Sequence, residues 1–386
     1  MKKRYEKTSV RGIYEVADGM YELRVFSGKN NEGKYKPYRE QFTGSLKEAK
    51  ARKAELETLK SQSKLPTKAK LTIKDFLGEW LDVEVSEKAL KTKEWYAMHV
   101  KNNICPYIGN KRIGELTPSL IPRFYKDLKK DGKSSTIRSG VHRTLRRALN
   151  WGITMRYLSG ENPIQGIPVP KVEKEEPEVL TEEEAYRFID TSRAVAPELS
   201  NLFIVCILTG IRKGEAFGLR WSDVDFNKKS IHINQQLIRD GINPIFSQPK
   251  TYTGRRTIPI SDNAINALLE EKDKQDAYKA NQPQYYDYGL VFCQPNGRPL
   301  PHKPTYKKLH KCFKAAFADK DYGFHVFRHS YVSIHLNNRT PIATVSELSG
   351  HRQTSTTLNM YAHAYENSNI TAAKRIDDLI FGDGRN

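Results

Sequence analysis

The chain has 386 residues and a formal charge of +19, from 64 lysines and arginines against 45 aspartates and glutamates. Such an excess points to a polyanionic partner, because each cation laid on a phosphate releases condensed counterions. The longest apolar run near the middle, Leu202–Leu208, is far short of the about 20 residues that a membrane-spanning helix needs, and the N-terminus lacks a secretory apolar stretch.

The charge is uneven. Residues 1–64 carry a net +7, residues 65–170 a net +9 and residues 171–386 only +3. This division suggests binding modules in front and a catalytic module behind. Cys105, Cys206, Cys293 and Cys312 are scattered without CxxC spacing, which reads as reduced thiols in a cytoplasmic protein.

In chain order, Gly12–Val16, Tyr21–Phe26 and Tyr38–Phe42 alternate as strands, with Gly- and Asn-rich turns between them. A helix follows, capped by Ser45 with Glu48 three residues on. Three strands and a helix make a small basic domain, residues 1–62. A polar linker leads to a helix capped by Thr72, with Asp75 at its third position and Ile73, Phe76, Leu77 and Trp80 on one face. Further helices are expected over 91–104, 117–130 and 134–156. In the last, Ile137, Val141, Leu145 and Leu149 recur every four residues, and Arg143, Arg146 and Arg147 fall opposite them as a phosphate-contacting stripe. This all-α domain spans 68–165. Prolines and dense charge then mark a linker, 166–178. From 179 to 386 helical patterns dominate, interrupted by strand-like Ser230–Ile238 and Arg255–Ile260, giving a mainly α (α+β) domain.

The chemistry-bearing residues lie in this last domain. Transfer of a phosphodiester to a protein hydroxyl needs a nucleophile, cations for the non-bridging oxygens and a proton for the leaving oxygen. Arginine suits the second task through its planar, permanently charged fork. Arg212 follows an apolar helix, Leu202–Thr209, that Gly210 terminates, and Glu215 is placed to orient its guanidinium. His325 and Arg328 are three residues apart and share a helix face. His329 beside them reads as packing support. Lys250 precedes Tyr252, Thr253 and Gly254, which suit a hairpin turn, and a lysine at that tip can protonate a leaving oxygen. His351 follows Gly350 and precedes Tyr361 by ten residues, with Thr354–Thr357 to cap a helix carrying the tyrosine. A phenol of pKa about 10 needs such neighbours to act as a nucleophile at neutral pH.

In this order, Arg212, Lys250, His325, Arg328, His351 and Tyr361 resemble the six active-site positions of the tyrosine recombinase (phage integrase) family, in particular integrases of phages and conjugative transposons. Residues 68–165 resemble that family's helical core-site-binding domain, and 1–62 its small arm-site-binding domain. The resemblance implies that Tyr361 attacks DNA to give a 3′-phosphotyrosine and a free 5′-hydroxyl. Arg212 and Arg328 then clamp the phosphate and His351 supports it. His325 serves as general acid or base, with Lys250 as acid for the leaving group. It further implies double-stranded DNA at core and arm sites, assembly of a tetramer on DNA, and an excision factor and a host DNA-bending protein as accessory partners. The C-terminal tail would dock on a neighbouring protomer. Two departures are mild: Val326-Phe327 replaces the common Asp-Leu, and Ser349 a usual Leu.

No metal or other cofactor is expected. His302, His310 and Cys312 match no zinc spacing, and neither a Walker lysine motif nor a dinucleotide fingerprint is present. A DNA-binding regulator without catalysis is disfavoured by the complete set of six residues. A nicking-rejoining topoisomerase is disfavoured by the two basic modules.

Overall fold

The N-terminal strands follow the alternation in the sequence. β1 (Glu6–Lys7), β2 (Ile13–Ala17), β3 (Met20–Lys29) and β4 (Tyr35–Thr43) form one antiparallel sheet in that order. Tyr21, Leu23 and Val25 alternate onto its buried face with Ile13, and Ala49 and Leu56 of α1 (Leu46–Ser61) close the core. Ser45 and Glu48 cap α1 reciprocally: the Ser45 N–H donates to Glu48 Oε2 at 2.8 Å and the Glu48 N–H to Ser45 Oγ at 3.3 Å. The sheet thus has four strands rather than the expected three. β1 escaped the sequence because two residues are too few to carry a period.

The computed structural model describes residues 6–29, 35–61, 71–158, 160–172, 177–249, 254–350, 354–355 and 358. The chain divides into two units, Met1–Lys174 and Glu175–Asn386.

The rest of the first unit is helical: α2 (Ile73–Trp80), α3 (Leu90–His99), α4 (Cys105–Ile108), α5 (Leu120–Lys130) and α6 (Ser135–Thr154). Thr72 accepts from the Asp75 N–H at 3.1 Å and so starts α2. Ile73, Phe76, Leu77 and Trp80 join Phe124, Leu145 and Leu149 in one core. The helix expected over 91–104 continues past His99 through a π-helical turn, Val100–Ile104. On α6, Val141, Leu145 and Leu149 are buried while Arg143, Arg146 and Arg147 are exposed, as the four-residue period required. Arg147 pairs with Glu84 at 3.2 Å.

The second unit is built on α7 (Glu182–Val195) and α8 (Pro197–Thr209), followed by the short α9 (Lys213–Phe217). A three-stranded antiparallel sheet has β5 (Val224–Asp225) and β6 (Ser230–His232) as neighbours, with a later strand on the far side of β6. A separate ribbon pairs β7 (Gln236–Arg239) with β8 (Ile245–Ser247), and the third sheet strand is β9 (Thr257–Pro259). Then come α10 (Asp262–Asn281), α11 (His302–Ala316), α12 (His325–Asn337) and α13 (Ile342–Ser349). Phe188 of α7 sits 4.5 Å from Phe313 of α11 and 5.2 Å from Phe327 of α12, ring centre to ring centre. Together with Phe203 of α8 these rings form the middle of the core.

The segment read as one strand over 230–238 is two strands in different sheets. Asn234 and Gln235 break it, because their amides are drawn to Asp223 at 2.8 Å and to the Gly218 carbonyl at 2.8 Å. β8 pairs with β7 and β9 with β6. Among the described residues, therefore, β8 and β9 are not paired with each other; Lys250, Tyr252 and Thr253, expected in a hairpin turn, lie outside the described residues. All four cysteines are free thiols. Among the described residues no helix is long and apolar enough to cross a membrane.

Candidate active site

The site begins where α8 ends. Nearly every residue of α8 is buried, so its C-terminus is fixed by the core. Gly210 terminates it with φ of 60°, and a Cβ there would meet the Tyr331 ring at 2.5 Å. Only glycine fits that left-handed, crowded position. Two residues on, Arg212 is the residue preceding α9. Its backbone N–H donates to Glu215 Oε2 at 2.8 Å and its Nη1 to Glu215 Oε1 at 2.9 Å. The expected orientation of Arg212 by Glu215 is therefore seen in the structure.

Glu215 is almost wholly buried. Burial favours its neutral form, but hydrogen bonds and charge from Arg256, then charge and a backbone bond from Arg212, outweigh that and hold its pKa below the usual carboxylate value. Arg256 is a partner that the sequence reading passed over. It meets Glu215 fork to fork, Nη1 to Oε1 at 3.1 Å and Nη2 to Oε2 at 2.9 Å. The one available signal was its strand neighbour: Arg255 is exposed where Arg256 turns inward, as alternation at the head of β9 dictates.

Arg328 lies on the first turn of α12 and is buried. Its Nη1 donates to the Gly210 carbonyl at 2.9 Å and its Nη2 to the Ser349 carbonyl. His325, one turn earlier, keeps its ring at the surface. Partial desolvation first, then the charges of Arg328, Lys213 and Arg212, lower its pKa from the ordinary histidine value. His325 and Arg328 are three residues apart on α12, and Arg328 bonds the carbonyl of Gly210, two residues before Arg212, so the three share one neighbourhood. His329 is packed behind, its ring centre 6.2 Å from that of His325. Burial, then His325 and Arg328, bring its pKa down to about 4. It is neutral, in keeping with a packing role.

The end of α13 completes the arrangement. Three consecutive carbonyls each receive a different arginine: Leu348 O takes Arg256 Nε at 2.8 Å, Ser349 O takes Arg328, and Gly350 O takes Arg212 Nη2 at 3.0 Å. A helix C-terminus presents unsatisfied carbonyls and partial negative charge, which guanidinium donors satisfy. Gly350 adopts φ of 62°, so the chain leaves the helix at that point, just before His351 in sequence. Lys250, His351 and Tyr361 themselves lie outside the described residues, as does the C-terminal tail. Of the candidates, the structure brings together Arg212, Glu215, His325 and Arg328. Arg143, Arg146 and Arg147 belong to the other unit. The loosely clustered His302 and His310 have other partners: His302 stacks on Phe217 at 5.2 Å and His310 bonds Asp321.

The second unit is thus a mainly helical core that holds three arginines against the end of α13, with His325 three residues before Arg328 on α12. Comparison with known proteins gives the family. Residues 178–368 match the phage integrase family and residues 72–129 the phage integrase N-terminal SAM-like domain, together nearly two thirds of the chain. The chain belongs to the phage integrase family of tyrosine recombinases. It is 28% identical over 389 residues to a tyrosine recombinase XerC-like protein of Caldanaerobacter subterraneus subsp. tengcongensis, covering 93% of this chain and 96% of the relative. The fold is shared with the Tn1549 transposon integrase in complex with transposon right end DNA (TM-score 0.68, 21% identity, 79% of this chain and 99% of that one). It is shared also with a λ integrase tetramer bound to a Holliday junction (TM-score 0.58, 16% identity, 91% and 96%).

Proposed function

We propose that this enzyme integrates and excises a mobile genetic element by cutting and rejoining double-stranded DNA through a 3′-phosphotyrosine at Tyr361. The observation that carries the reading is the convergence of Arg212 and Arg328 on one helix end, with His325 subject to both charges. Preorganised cationic donors of this kind stabilise the charge that gathers on a phosphate under attack.

In the reaction, the Tyr361 oxygen attacks phosphorus and the bond to the 5′-oxygen breaks. The phenolic proton passes to a neighbouring base and the departing oxygen takes a proton from an acid. His325, kept neutral at pH 7, suits the base; Lys250 is assigned to the acid and His351 to the phosphate. The phosphate ester is retained on the tyrosine, so the reverse attack by a 5′-hydroxyl reseals a strand without any external energy source.

Residues 68–165 would hold the core site, with Arg143 and Arg146 on its phosphates, and residues 1–62 an arm site. The Tn1549 integrase is in complex with transposon right end DNA and λ integrase forms a tetramer on a Holliday junction. Both support DNA as the partner here, and the second supports a four-subunit assembly. The test is incubation of the purified chain with nicked duplexes made from DNA flanking its own gene. A DNA-linked band on a denaturing gel, missing from Tyr361→Phe, is expected. Binding without any adduct would favour a DNA-binding regulator instead.

A further inference from the structure

Glu215 and Arg256 form a buried pair, with side chains 4% and 5% exposed, whereas Arg212 on the same carboxylate is 36% exposed. One carboxylate therefore serves two guanidiniums, and the cluster keeps a single positive charge, located on its exposed member. Without Arg256 the carboxylate would belong to Arg212 alone, and the group facing solvent would be a neutral ion pair. A neutral pair is a poor ligand for an oxyanion, because the attraction scales with net charge.

We propose that Arg256 is a positioning residue for strand cleavage. By taking up the charge of Glu215, it lets that carboxylate hold Arg212 in place while Arg212 still presents positive charge to the scissile phosphate. Its Nε bond to Leu348 O fixes the end of α13 that leads in sequence to His351 and Tyr361. This inference rests on the assignment of Arg212 as a phosphate ligand.

The probe is tungstate, a tetrahedral oxyanion, titrated calorimetrically into the full chain, Arg256→Gln and the double variant Arg256→Gln/Glu215→Gln. Arg256→Gln is expected to bind tungstate about tenfold more weakly, and the double variant to return within about threefold of the parent. Single-turnover adduct formation on the nicked duplexes should follow the same order, while duplex affinity changes by less than about threefold. A merely structural role for Arg256 would not be rescued by removing its partner's charge.

A folded Arg256→Gln chain with parental tungstate binding overturns the proposal, and so does a parent chain that binds no tungstate. Removing one member of a buried pair is destabilising, so a melting curve accompanies each titration. If Arg256→Gln does not fold, the double variant decides: binding within about threefold of the parent supports the proposal, and a tenfold loss overturns it. A parent that shows the tungstate pattern but forms no adduct contradicts the proposed function and leaves standing only the charge assignment, that Arg256 neutralises Glu215 and frees Arg212 for an oxyanion. The reverse pattern strikes at Arg256 alone.

Discussion

His325 stands at the surface among three cations, and its proton affinity follows from that company. Desolvation and the charges of Arg328, Lys213 and Arg212 place its pKa below the ordinary value. The neutral ring, which can accept a proton, is then the dominant form at pH 7. As pH falls through the lowered pKa the proposed base is lost, so adduct formation at limiting DNA should decline on an acid limb that lies below about 6.5, the ordinary histidine value. A pH series on the parent and on His325→Gln checks this: the acid limb should vanish in the variant, with a rate loss of about 10²–10⁴ at neutral pH. An unchanged limb would assign it to another group. Arg212, Glu215, His325 and Arg328 were legible in the sequence because each sits in a short motif beside a glycine or a helix start. Arg256 was less so: alternation at the head of β9 turns it inward and leaves Arg255 outside, but nothing local says that it meets a carboxylate 41 positions away.

Among the elements, α8 and α13 do the positioning, and both end on a left-handed glycine. Gly210→Ala forces a side chain into the left-handed region and against the Tyr331 ring. These costs, about 1–2 kcal/mol for the backbone and 1–3 for overpacking, predict a loss of about 2–5 kcal/mol in chemical denaturation. It should also slow adduct formation, because the Gly210 carbonyl holds Arg328. A variant as stable as the parent would contradict the crowding at this position. The helices were largely readable because their caps and apolar periods are local: Ser45 and Thr72, read as caps, both accept the N–H bonds that start a helix. The strands of the second unit were less readable. Each has two to four residues, and their order, β5-β6-β9 with β7-β8 apart, depends on pairings distant in sequence.

For the molecule as a whole, the charge of +19 is concentrated in the first 170 residues, and the proposed DNA binding should weaken steeply with salt. Each phosphate contact contributes about 0.9 to the slope of log affinity against log salt. Arg143→Gln and Arg146→Gln should each reduce the slope by roughly that amount on any duplex. Arg147→Gln should do less, since Glu84 already answers that charge at 3.2 Å. Fluorescence anisotropy across a salt series measures all three, and slopes left unchanged would remove α6 from the interface.

Whether Tyr361 carries the DNA is read from the covalent adduct itself. The adduct from a nicked duplex is digested with protease and nuclease, and the linked peptide is sequenced by mass spectrometry. Expected are a phosphate ester on Tyr361 joined to a 3′ end, and a released fragment whose 5′-hydroxyl accepts label from polynucleotide kinase without prior phosphatase. Linkage to any other residue, or a released fragment bearing a 5′-phosphate, would contradict a 3′-phosphotyrosine at Tyr361.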